Sequence, residues 1–187
     1  MYKQVLHKSP LIIIEGKRLV GKSFLINSVK NTFDVYKYPF VEWNKNIKIN
    51  GLDKDFDPAI FYLLFGHDTV ILDLKEKGLL NNKLIQDRGF LSNAVFGIQS
   101  KRISKEEVII NSKWLLSKWS ESFKIVYINA DSRPDNRDKD EWNIYDPIET
   151  DRIYLELMSE LKIPYISFFN NFDKKSELDF FEVLRKI

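Results

Sequence analysis

The sequence contains no cysteine and only two histidines, His7 and His67. The first absence excludes a disulfide framework and a thiolate metal site, and two isolated imidazoles cannot make a structural zinc site. Both histidines are read as surface or packing residues. Long apolar runs are also missing. Runs such as residues 11–14 and 125–128, and also 59–65, fall far short of the ~20 residues a membrane-spanning helix needs. Residues 1–9 carry no apolar signal core. The expectation is a soluble, cytoplasmic chain with no membrane partner. An excess of one charge is lacking too, with 29 basic against 27 acidic side chains, so the overall balance does not call for a polyanion such as duplex DNA. A local basic cleft remains open.

What is present is a packable chain of 187 residues, 44% hydrophobic and 14% aromatic, without repeats or polar low-complexity tracts. That length suits one domain, 1–187. Short apolar runs at 11–14, 84–85, 125–128 and 165–169 are each followed by polar or glycine-bearing residues and a helical pattern. This alternation predicts βαβ units: an α/β domain with a parallel sheet of about five strands and helices on both faces. A weaker strand, 35–41, is interrupted by Lys37 and Pro39. Helix starts are marked by Asp57-Pro58, by Ser104 with Glu107, and by Asp146, Pro147 and Glu149. Residues 131–143 are so densely charged that they have little to bury, and they read as a mobile surface flap.

The first strand runs directly into Gly16-Lys17-Arg18-Leu19-Val20-Gly21-Lys22-Ser23, which satisfies G-x-x-x-x-G-K-S, and a helical stretch opens at Phe24. Glycines let such a loop curl until its N–H groups face phosphate oxygens, and the helix N-terminus adds partial positive charge. Lys22 then serves the β- and γ-phosphates of ATP, pointing into solvent and not into the core, and the Ser23 hydroxyl serves Mg²⁺. The expected nucleotide-binding set is Gly16, Lys17, Arg18, Val20, Gly21, Lys22, Ser23 and Phe24. A guanine-reading N-K-x-D is absent, because Asn82-Lys83-Leu84-Ile85 lacks the aspartate. The third strand ends instead in Asp87-Arg88, with Ser92, Phe96 and Gly97 following. An aspartate there can hold Mg²⁺ through water and an arginine can bind an acceptor phosphate; a structural ion pair at the strand end is the plainer alternative.

Through Glu15-Gly16, the glycine loop, Leu63-Leu64-Phe65, Asp87, Arg88, Ser92 and the arginine-bearing charged segment, the chain resembles the thymidylate kinase and deoxynucleoside kinase group of P-loop proteins. Phe96 and Gly97 replace that family's Tyr-Gln pair, Thr69 stands where its thymine-reading arginine would be, and Arg18 where an aspartate is usual. The resemblance implies transfer of the ATP γ-phosphoryl group, with Lys22 and Arg88 around it. Arg133 and Arg137 close over the phosphates as a lid, unless that segment is only a solvated loop. Phe65 stacks the base or packs in the core, with Arg88, Ser92 and Phe96 on the acceptor side. Glu42, after the second strand, is a candidate general base. The acceptor is then a small nucleoside or nucleotide, first a nucleoside monophosphate. A hydroxyl of a deoxynucleoside or of a modified nucleotide within DNA is the alternative, and a non-catalytic nucleotide-dependent module a further one. A homodimer is compatible with the reading.

Overall fold

The computed structural model describes residues 10–37, 58–80, 83–101, 103–131 and 146–187, with the backbone alone described over 58–64. The flap and the far end of the expected second strand lie outside these. Five parallel strands form one sheet: β1 (Leu11–Glu15), β2 (Asp34–Lys37), β3 (Leu84–Asp87), β4 (Phe123–Asn129) and β5 (Tyr165–Phe169), in the order β2-β3-β1-β4-β5. The described helices are α1 (Lys22–Val29), α2 (Pro58–Glu76), α3 (Phe90–Gln99), α4 (Lys105–Trp119), α5 (Pro147–Glu160) and α6 (Lys174–Arg185). None of the described helices is long and apolar enough to cross a membrane.

β1 is the central strand, and all five of its residues are buried. Covered on both faces, it is apolar from Leu11 to Ile14, which is why it reads as a continuous run, and only its last residue, Glu15, is charged. Its side chains divide with period two. Leu11 and Ile13 join Leu72, Phe90, Leu115 and Leu157 on one face, while Ile12 and Ile14 join Leu25, Val29, Phe180 and Leu184 on the other. Helix α1, which follows β1, therefore covers one face, and α3, which follows β3, covers the opposite face. β1 and β3 are neighbours, with Ile14 beside Asp87. Where the connections of adjacent parallel strands part to opposite faces, a crevice opens at the strand ends. Both sequence motifs sit on its rim.

Two of the three cap signals are realised, while Asp57 lies outside the described residues and α2 opens at Pro58. Ser104 accepts from the Glu107 N–H at 3.1 Å while Glu107 Oε2 accepts from the Ser104 N–H at 3.0 Å, closing the capping box of α4. Ile103 and Val108, at the positions of a hydrophobic staple, are both buried beside it. Asp146 accepts from the N–H groups of Ile148 and Glu149 and Pro147 opens α5. α2 ends at Gly78 in a Schellman pattern, Leu79 N–H to Leu74 O and Gly78 N–H to Lys75 O.

The helical patterns expected after the runs at 84–85 and 165–169 are α3 and α6, for which the sequence reading named no cap. Eight of the ten residues of α3 are buried, so it shows no one-sided apolar stripe for a sequence reading to detect. Its N-cap is Gly89, with no capping side chain of its own. α6 starts at Asp173, whose carboxylate accepts from the Ser176 N–H at 2.7 Å.

Replacing Ser104 with alanine removes one half of the α4 box. The expected cost is about 1 kcal/mol, seen as a lower urea midpoint at unchanged m-value. An unshifted midpoint would show that the box contributes nothing to stability.

Candidate functional site

The glycine loop takes its shape from two positions that exclude a side chain. At Gly16 φ is +136° and a Cβ would lie 2.4 Å from the Ile128 carbonyl oxygen. At Gly21 φ is +78°, and a Cβ would meet Asn170 Nδ2 at 2.3 Å and the Phe172 ring at 2.6 Å. Gly21 is the N-cap of α1, which has no side-chain cap, so the first turn of the helix presents backbone donors toward the loop. Asn170 braces the loop from the end of β5: its N–H donates to Asn129 O at 2.8 Å and its amide Nδ2 to Val20 O at 2.9 Å. The Phe172 ring lies 6.5 Å from that of Phe24. The sequence reading missed Asn170 and Phe172, for which an Asn-Asn-Phe-Asp turn after a strand is the only signal.

Lys22 departs from expectation. Its side chain is not in solvent: the residue is 5% exposed, and its ammonium donates to Gly16 O at 2.7 Å and to Lys17 O. Burial lowers its pKa well below the usual lysine value and the like charge of Arg88 adds to this, while Glu15 and Asp87 oppose it. Lys17 contributes backbone to the loop, but its side chain turns away to pair with Asp151 Oδ2 of α5 at 2.5 Å. Tyr127 donates to the other oxygen of Asp151 at 2.6 Å. Val20 is wholly buried and anchors the loop in the core, whereas Ser23 is exposed on the first turn of α1 and Phe24 is partly exposed.

Across the crevice, Arg88 has φ +70°, a left-handed conformation that costs a non-glycine residue about 1–2 kcal/mol. Its N–H donates to Ile14 O at 3.0 Å. The turn is held next by Glu15, which is 0% exposed. Oε1 of Glu15 accepts from the Gly89 N–H at 2.9 Å and the Ser92 N–H at 3.3 Å. Oε2 accepts from the Ser92 hydroxyl and from the Tyr154 hydroxyl, the latter at 3.2 Å. These bonds hold the turn in place against the strain at Arg88. Burial raises the Glu15 pKa above the usual carboxylate value; the bonds from Ser92 and the charges of Arg88 and Lys22 pull it back only in part. Neither Glu15 nor Tyr154 was picked out as a site residue from sequence.

The Arg88 guanidinium donates to Ser92 Oγ at 3.3 Å and lies 5.6 Å from the centroid of the Phe96 ring. Arg18, from the glycine loop, reaches the same ring at 5.8 Å. The structure thus brings Arg18, Lys22, Arg88, Ser92 and Phe96 to one crevice. Asp87 ends β3 beside Ile14, and its charge acts on Lys22. Phe65 does not present itself to the crevice: it is buried in the core, edge-on to Phe90 with centroids 6.5 Å apart. Nearby, Tyr36 stacks on His67 at 5.5 Å, with its hydroxyl 2.6 Å from Nε2, so His67 is the packing residue one alternative foresaw. Burial lowers the His67 pKa. Gln86 donates to the buried Asp68 at 2.8 Å. Glu42, Arg133 and Arg137 lie outside the described residues.

No family model matches the sequence, and no curated protein is detectably similar to it in sequence. Solved structures do match. The thymidylate kinase of Candida albicans superposes with a TM-score of 0.63 at 17% identity, over 96% of this chain and 92% of that one. The YorR protein of Bacillus subtilis, in complex with phosphorylated GDP, gives 0.60 at 19% identity over 94% of each chain. The deoxyadenosine kinase of M. mycoides with bound dATP gives 0.53 at 16% identity, over 94% of this chain and 99% of that one. At these identities the likeness establishes the fold, which the chain shares with these proteins over nearly its whole length.

The raised pKa of Glu15 makes a pH prediction with a definite sign. The folded chain holds this proton more tightly than the unfolded chain does, so the contribution to stability is complete below the ordinary carboxylate pKa and is lost as pH rises through the raised value. A Glu15→Gln variant cannot ionise. Its stability relative to wild type should therefore improve between about pH 4 and pH 8 in paired urea titrations. Parallel curves would mean that Glu15 titrates alike in both states.

Proposed function

We propose that this chain transfers the γ-phosphoryl group of Mg·ATP to a nucleoside monophosphate. The observation that carries the reading is the convergence of Arg18 and Arg88 on Phe96, at 5.8 and 5.6 Å, on the rim of the glycine loop. Two guanidinium groups gathered next to Lys22 suit an acceptor that is itself an anion. A neutral hydroxyl acceptor brings no charge of its own for them to meet. The fold shared with a thymidylate kinase and a deoxyadenosine kinase supports a nucleoside or nucleotide as the acceptor class.

The residues fit the nucleotide and its metal. Side-chain-free positions at Gly16 and Gly21 leave the loop backbone open to close approach of phosphate oxygens. The exposed Ser23 hydroxyl and the Asp87 carboxylate are hard oxygen donors, and Mg²⁺ characteristically takes only one or two protein ligands beside phosphates. When bound, the metal would neutralise charge on the β- and γ-phosphates. The protein's own part is positioning and electrostatics. Backbone N–H groups of the loop hold the phosphates, and Lys22, anchored on Gly16 O and Lys17 O, holds its ammonium at the loop mouth. Arg88, steadied by Ser92, meets the acceptor phosphate, and Arg18 adds charge from the opposite wall. Arg133 and Arg137 are assigned to the lid by resemblance alone.

The test offers the purified chain γ-labelled Mg·ATP with deoxynucleosides, the deoxynucleoside monophosphates, and oligonucleotides bearing a 5′-hydroxyl or hydroxymethylated pyrimidines. Labelled diphosphate is the expected product, and Lys22→Ala should abolish it. Arg88→Ala should chiefly raise the acceptor KM, while Glu42→Gln should cost little, because a monophosphate oxygen is already anionic. Label on a nucleoside or oligonucleotide hydroxyl, with a loss of roughly 10²- to 10⁴-fold in Glu42→Gln, would replace this reading with the hydroxyl-directed one.

A further inference from the structure

The N-terminus of α3 has an unusual cap. Gly89 occupies the N-cap position and has no side chain to accept from the first turn, yet the N–H groups of Gly89 and Ser92 both find an acceptor. That acceptor is Oε1 of Glu15, 74 residues earlier in the chain and directly before the first glycine of the phosphate loop. A carboxylate placed against these donors does what an N-cap aspartate does from within its own helix. Here it also joins the two walls of the crevice. Arg88, immediately before the capped turn, is left-handed at φ +70°, a conformation that persists only where the surroundings over-determine it.

We propose that Glu15 is a positioning residue for Arg88: by capping α3 from the opposite wall, its carboxylate fixes the left-handed turn that carries the Arg88 guanidinium to Phe96. Tyr154 of α5 is the second support. Its hydroxyl donates to Oε2 of Glu15 at 3.2 Å and lies 2.7 Å from Ser92 Oγ, the same oxygen that receives the Arg88 guanidinium at 3.3 Å. Four donors thus surround one carboxylate. With both oxygens engaged it cannot rotate away from the turn, and the serine that orients Arg88 is held by the same group. The facing ionisable groups are Arg88, Lys22, Tyr154 and Tyr127. Without Glu15 the turn loses its cap, Arg88 relaxes to negative φ, and the guanidinium leaves its place over Phe96.

The inference rests on the reading that Arg88 meets the acceptor, and a double-mutant cycle separates the two. Acceptor kcat and KM at saturating Mg·ATP, with binding of a nonhydrolysable ATP analogue alongside, are measured for wild type, Glu15→Gln, Tyr154→Phe, Arg88→Ala and the two doubles with Arg88→Ala. If Glu15 acts through Arg88, Glu15→Gln lowers acceptor kcat/KM by about tenfold or more, in line with the cost of small misplacements. ATP-analogue affinity stays at the wild-type value, and the loss disappears in the Arg88→Ala background. Tyr154→Phe shows a smaller loss with the same disappearance. Losses that multiply in the doubles would overturn the inference while leaving the proposed function standing. An Arg88→Ala variant with wild-type acceptor kinetics would remove the reading beneath it and the inference with it. Should Glu15→Gln not fold, as judged by circular dichroism, the Tyr154→Phe cycle decides alone, because it deletes one hydroxyl and keeps the packed ring.

Discussion

One buried carboxylate, at the end of the central strand, holds together the two halves of the crevice. Glu15 stands where β1 gives way to the glycine loop, and its oxygens accept from the turn that follows β3. Taking a carboxylate wholly out of water is costly unless its lone pairs are met, and here donors from Gly89, Ser92 and Tyr154 meet them. That the pKa is nonetheless raised means burial still outweighs them. Such a group is kept for geometry more than for stability, since an apolar side chain would spare the desolvation but would leave α3 without a cap.

The glycine loop is braced in a comparable way by elements far away in sequence. Asp151 of α5 holds Lys17 on one side, and Asn170, after β5, holds the Val20 carbonyl on the other. The loop contains two glycines and a left-handed Leu19, and it would be floppy in isolation. Its bracing converts a mobile turn into a preorganised one, which under the proposed function reduces the ordering cost of holding phosphates. α5 serves both walls: Asp151 reaches the glycine loop, and Tyr154, one turn later, reaches the Glu15–Ser92 junction.

Much of this was legible along the chain. The glycine loop, the strands, the α4 and α5 caps and the Asp87-Arg88 element each depend on residues close together in sequence, where spacing and capping chemistry act directly. Local pattern gave a helix after β3 but neither its start nor its inward face, because a helix buried almost all round has no polar face to set its period and Gly89 brings no capping side chain. It also could not place Phe65, since an aromatic on an apolar helix face serves a base or a core equally well, and packing against Phe90 puts it in the core.

Lys22 shows the same division within one residue. Its place in G-K-S determined its partner chemistry, but whether the ammonium stood in solvent depended on how the loop curled, and the curl brought Gly16 O and Lys17 O within reach. The sequence by itself therefore determined the α/β architecture, the phosphate loop and the identity of the arginine after β3, because each is written in neighbouring residues. Only the tertiary structure decided that Glu15, Tyr154, Asp151 and Asn170 support the site. These residues meet it across separations of up to 150 positions, and hydrogen bonds at that distance follow from the order of strands in the sheet and not from any local pattern.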